Sequence, residues 1–238
     1  MTARGILPAA AAVPSPSRAT AAAVEPPVPR HGAEALEAVL AGMRACRICR
    51  DAPAAAPLPH EPVPVFQIHP AARVAICSQA PGIRAHVAGI PFHDPSGDRL
   101  RDWLGLDHAA FYDPTRLAIV PMGFCFPGWD AHGGDLPPRR ECRATWHDRL
   151  FPLLPNLELV LSVGSHSLRY HVPFRRRQSV SAIVTDWRAV MEESRAGGGR
   201  IVIPLPHPSW RNNAWLKRHP WFEAELLPTV RREVAARM

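Results

Sequence analysis

Four short apolar runs constrain the fold of this chain more than any other feature: Val74–Cys77, Leu117–Val120, Leu157–Val163 and Arg200–Leu205. They are rich in β-branched residues and show no strict alternation, which fits parallel strands covered on both faces. Helix-like stretches lie between and around them. In Glu34–Cys46 the apolar residues Leu36, Val39, Leu40 and Met43 recur at helical spacing. The stretch Asp98–Leu106 starts behind Ser96, a suitable N-cap, and two more run through Glu141–Leu153 and Trp221–Arg237. This alternation predicts an α/β fold, a three-layer α/β/α sandwich around a central, mainly parallel four-stranded sheet.

The loops after these runs are chemically distinctive. They read Ser78-Gln-Ala-Pro-Gly82, Pro121-Met-Gly-Phe-Cys125, Gly164-Ser-His-Ser167 and Pro206-His-Pro-Ser-Trp210. Ligands of open α/β sheets bind beyond the carboxyl ends of the strands, so these loops are expected to share one rim. The third loop lacks the second glycine of a nucleophile elbow, because Ser167-Leu168 stands there. A hydrolase triad is rejected on that ground.

Five cysteines are present, and four of them form a pattern: Cys46-Arg-Ile-Cys49, then Cys125 and Cys142 at the ends of a Pro/Gly-rich segment. The odd count and the absence of a secretory apolar run argue against a disulfide framework. Four thiolates converging from two distant segments suit either an iron–sulfur cluster or a tetrahedral zinc. Cys77 lies inside a strand and reads as a small buried hydrophobe.

Residues 1–33 are Ala- and Pro-rich and carry no periodic apolar face, so they are expected to stay disordered, with one folded domain over 34–238. The formal net charge is +7, of which the first thirty residues carry +2. Lys217 is the only lysine, so the Arg richness is partly compositional bias. A basic balance fits nucleic acid and fits an ordinary soluble protein equally. The run Arg175-Arg-Arg177 is either a phosphate contact or a solvated surface. No stretch approaches the length of a membrane span, and a cytoplasmic location is expected.

Ser78-Gln-Ala-Pro-Gly82, Gly89-Ile-Pro-Phe92, Ser96-Gly97 and His207-Pro-Ser209 together resemble the uracil-DNA glycosylase superfamily, which pairs a loop after the first strand with a His-Pro-Ser loop after the last. The cysteine spacing resembles the branch that carries a four-iron, four-sulfur cluster, and the likeness covers about Leu36 to Leu227. It implies hydrolysis of the N-glycosidic bond of uracil, or of other deaminated bases, after the nucleotide is flipped into a pocket. By the resemblance, Phe92 stacks on the base, while Gln79, Ala80, Gly82 and Ser209 hold the base and a nearby phosphate. His207 stabilises the departing anion. Ser96, Trp210 and Arg211 meet DNA, with Trp210 as a wedge or as packing against Trp215 and Trp221. Cys46, Cys49, Cys125 and Cys142 would hold a structural [4Fe-4S] cluster, with zinc as the alternative.

The sequence departs from the family at its carboxylates. Alanine stands at positions 80 and 85, where different branches place Asp and Glu, and Pro121 falls where several place a base-reading Asn. His86 is the expected positioner of water. Two rivals to turnover remain: binding of uracil-containing or abasic DNA without catalysis, and covalent capture of the abasic sugar by His86. A monomer acting on DNA is expected, with no membrane partner.

Overall fold

A computed structural model describes residues 32–238; the expected disordered tail lies almost wholly outside these residues. The four predicted strands form one all-parallel sheet in the order β2-β1-β3-β4, with β1 at Val74–Cys77, β2 at Leu117–Ile119, β3 at Leu159–Val163 and β4 at Ile201–Leu205. Every residue of β1, β2 and β3 is buried, which explains why their sequences read as continuous apolar runs. Cys77 is among them, and burial pushes its thiol up, as expected of an inert core residue.

The strand order places the site. From β1 the chain moves to one neighbour, β2, then crosses to the opposite side for β3 and β4. Right-handed connections therefore send the helices between β1 and β2 to one face and those between β2 and β4 to the other. The C-terminal helix Leu227–Ala235 packs on Pro95–Leu104, and the N-terminal helix Gly32–Arg44 packs on Arg140–Leu150. The result is the expected three-layer α/β fold. Its topological switch point lies between β1 and β3, and a crevice opens beyond their carboxyl ends.

Two details keep the rim narrow. Pairing of β1 with β2 continues past the strands, as the Met122 and Gly123 amides donate to the Ser78 and Gln79 carbonyls at 2.9 Å each. Gly164, at φ +80°, opens the helix Gly164–His171, and a Cβ there would stand 3.3 Å from the Gln79 side chain. The free edge of β2 is covered by Gln67, which exchanges backbone hydrogen bonds with Ile119.

The helices differ from expectation at their ends. The helix expected from Asp98 starts at Pro95 and is capped by Asp94, whose side chain accepts from the Gly97 amide at 3.0 Å; Ser96 is not the cap but sits in the first turn. The stretch expected as one helix from Trp221 contains a π-helical turn at Phe222–Leu226 before Leu227–Ala235. Pro228 has no N–H to donate, so the regular ladder cannot run through it.

Candidate active site and cysteine pocket

A cleft of about 760 Å³ opens on the carboxyl rim, within the range of small-ligand sites. Gln79, Ala80 and Gly82 from the β1 loop line it, as do Phe92, Ser96, His207, Ser209, Trp210 and Arg211. The predicted base- and DNA-contacting residues are thus gathered in one place, from three separate loops.

Phe92 is held in an unusual way. It is the one non-glycine residue at positive φ among the described residues, at 55°, a conformation that costs on the order of 1–3 kcal/mol. Its neighbours fix it there. The Tyr112 hydroxyl donates to the Pro91 carbonyl at 3.0 Å and reaches the Phe92 carbonyl at 3.3 Å. Gly97 passes so close that a Cβ would fall 1.9 Å from the Phe92 carbonyl oxygen. The ring of Phe92 meets Phe111 edge to face at 6.2 Å and is half-buried at the cleft wall. An aromatic side chain held at a cleft wall by a strained backbone is a mark of a functional position.

His207 comes after β4 between two prolines, and its loop is tied down twice. Asn212 Nδ2 donates to the His207 carbonyl at 2.6 Å, and Arg99 Nη1 donates to the Ser209 carbonyl at 3.2 Å and to Asn213 Oδ1 at 2.8 Å. Burial holds the His207 imidazole below its ordinary pKa; the Asp94 charge opposes that and Arg211 adds to it. A neutral imidazole at neutral pH can donate one N–H to a developing anion without carrying charge beforehand.

Trp210 is 72% exposed, with the Arg211 guanidinium 5.7 Å from its ring centroid. Trp215 instead packs edge to face on Trp221 at 5.8 Å, so the aromatic packing falls to that pair and Trp210 stands free at the rim. Pro121 also lines the cleft, and its carbonyl is engaged by the buried His147 Nε2 at 3.2 Å.

His86 is placed elsewhere. It lies on the short helix Ile83–Ala88, but its ring meets His60 at 4.5 Å and Phe126 at 6.0 Å, and it is absent from the cleft lining. The helical turn that brings Ala85 to the cleft rotates the next side chain away. The expected water-positioning histidine is therefore not brought to the other site residues. Arg175 is likewise turned to internal use, paired with Asp186 at 2.7 Å and Glu193 at 2.6 Å.

A residue that sequence reading missed is Asp135, which lines the cleft from the segment between Cys125 and Cys142. Its signal was the tight sequence Gly133-Gly134-Asp135 inside that loop, but nothing local says which way the loop faces.

Cys46, Cys49, Cys125 and Cys142 line one small pocket together with Met43, Leu58, Phe124 and Arg139. Cys46 lies in the turn between helix Gly32–Arg44 and the short helix Ile48–Asp51, and Cys49 sits on the latter. Gly42 allows this end of the chain to approach Trp146, whose ring would press within 2.8 Å of any Cβ there. Two sulfurs accept N–H donors: Trp146 Nε1 on Cys46 at 3.3 Å and the Phe124 amide on Cys142 at 3.2 Å. Burial raises the Cys125 thiol to about 12, and its neighbours Cys49 and Cys46 push in the same direction. Burial also raises the Cys49 and Cys142 thiols, and four soft sulfur donors lining one pocket are a set that fits a thiolate-ligated metal group. Among the described residues, no group of three or more His, Cys, Asp or Glu side chains meets the geometry of a single-ion site. Among the described residues, no helix is long and apolar enough to cross a membrane.

The sequence matches the family model described as the uracil DNA glycosylase superfamily over residues 65–231, which spans all four strands, both motif loops and the cysteine-bounded segment. The matched region covers well over half of the chain, and the chain belongs to the uracil-DNA glycosylase superfamily.

Proposed function

We propose that this protein excises uracil, with other deaminated bases as further substrates, by hydrolysing the N-glycosidic bond of a nucleotide flipped out of DNA. The observation that carries the reading is the convergence of Phe92 and His207 on one cleft, the first locked by Gly97 and the second by Asn212. The flipped base stacks on Phe92. His207 donates to the base as negative charge gathers on it, and the loop from Gln79 to Gly82 offers backbone approach to the base and an adjacent phosphate. Trp210 and Arg211 lie beside this cleft, suited to a wedge and a phosphate contact. Excision is tested with a uracil-bearing oligonucleotide, alkali treatment and denaturing gels, with and without protease.

The same proposal assigns a [4Fe-4S] cluster to Cys46, Cys49, Cys125 and Cys142. When bound, it would act as a staple between the N-terminal helices and the loop that forms one cleft wall, and it would take no part in the chemical step. The support is the shared pocket of four thiols with N–H donors on two sulfurs, an arrangement that tunes such clusters. Purified without added metal, the protein should be brown, with about four irons and four acid-labile sulfides per chain. A colourless protein with one zinc per chain would assign the pocket to zinc instead.

Covalent capture by His86 draws no support from its packing against His60 and Phe126. A protease-sensitive shifted band in the gel assay would nevertheless reveal capture.

A further inference from the structure

We propose that Asp135 is the carboxylate that serves the glycosidic bond in this cleft, accepting the proton of the attacking water beside the sugar. The inference rests on the base-excision reading and fills a gap that reading leaves, since positions 80 and 85 are both alanine. Two carboxylates line the cleft, Asp94 and Asp135. Asp94 is already committed as the cap of helix Pro95–Leu104. Asp135 has no side-chain hydrogen-bond or ion-pair partner among the described residues, and its Oδ2 lies 3.5 Å from where a Cβ on Gly82 would stand. A carboxylate from a distant loop thus faces the same β1 loop on which the family usually carries one.

The loop is built to present it. The Asp130 amide donates to the Gly134 carbonyl at 2.8 Å, and Asp130 Oδ1 accepts from the His132 and Gly134 amides at 2.8 and 2.9 Å. The Leu136 amide closes the turn on the Gly128 carbonyl at 2.9 Å. Asp135 therefore sits in a closed hairpin flanked by Cys125 and Cys142, two of the cysteines that line the pocket.

The step balances simply. The bond between C1′ and the base nitrogen breaks, and its electron pair leaves on the base. The water oxygen bonds to C1′, and the water proton passes to Asp135 and from there to solvent. Desolvation raises the Asp135 carboxyl above the ordinary range. Arg211, from the loop after β4, opposes that shift, while Asp94 and Asp130 reinforce it. Arg84 lines the cleft on the Gly82 side. Because a base acts deprotonated, the rate should fall as the pH drops through this raised value.

The test is single-turnover excision from a uracil oligonucleotide across pH, for wild type, Asp135→Asn and Asp135→Ser, with thermal melting and fluorescence anisotropy on abasic-analogue DNA as controls. Two neutral variants are used so that one failing to fold leaves the comparison intact. We expect excision to fall on the order of 10²- to 10⁴-fold, with the acid limb of the pH profile lost, melting unchanged and DNA binding retained. Excision at the wild-type rate in these variants overturns the role of Asp135 and leaves the excision reading standing. Loss confined to DNA binding also overturns it. An inactive wild type overturns the excision reading and this role together.

Discussion

Replacing His207 by alanine should lower uracil excision by about 10²- to 10³-fold, the usual cost of removing one donor to developing charge. The effect should appear in the single-turnover rate and not in DNA affinity. The base carries full negative charge only as the bond breaks, so the donor's contribution grows towards the transition state. The fold should survive, because the loop is fixed by the backbone carbonyl of His207, which Asn212 holds at 2.6 Å whatever side chain stands there. Full activity in the alanine variant would remove His207 from the chemistry and leave the loop with DNA contact alone.

The second large effect is expected from Gly97→Ala. The added methyl would fall 1.9 Å from the Phe92 carbonyl oxygen and 2.9 Å from the Phe92 Cβ, distances that no side-chain rotation relieves. Either the start of helix Pro95–Leu104 or the turn carrying Phe92 must move. Overpacking of this kind costs about 1–3 kcal/mol, and the displaced turn would also lose the Tyr112 hydrogen bonds that fix it. Activity should drop by more than stability alone explains, because the stacking ring shifts with its backbone. Melting temperature and excision rate, measured on the same preparation, separate the two effects. A variant that melts and cuts like wild type would show that the left-handed turn at Phe92 is dispensable.

Much of this architecture was legible in the sequence because burial leaves a direct mark on it. Strands covered on both faces read as unbroken apolar runs, and all four were found within two residues of their ends. The strand ends then placed the site, since a sheet with a switch point has one place for a ligand. Short helices without a wide apolar stripe were missed, among them Ile83–Ala88 and Gly164–His171. The misplacement of His86 has the same origin: read as part of a loop it could face the cleft, whereas on a helix beside Ala85 it faces Phe126. Asp135 was invisible for the opposite reason. Its position depends on how a hairpin folds back over the sheet from a pair of distant cysteines, and only long-range contacts determine that.

The cysteines and the cleft are thereby linked. Cys125 and Cys142 bracket the hairpin that carries Asp135, so a change in the cysteine pocket should reach the cleft through the position of that wall. In the proposed reaction the family's chemistry would enter through Phe92 and His207, and the chain's own departure from it would concern which carboxylate serves the sugar.

Base excision itself is addressed by a single gel experiment. The protein is incubated with a uracil-containing oligonucleotide, half of each sample is heated in alkali, and all are run under denaturing conditions with and without protease. Strand breaks at the uracil position are expected only after alkali, with no protease-sensitive shifted band. Intact strands in every lane, with DNA still bound in a native gel, would contradict base excision and leave a protein that recognises DNA without turning it over.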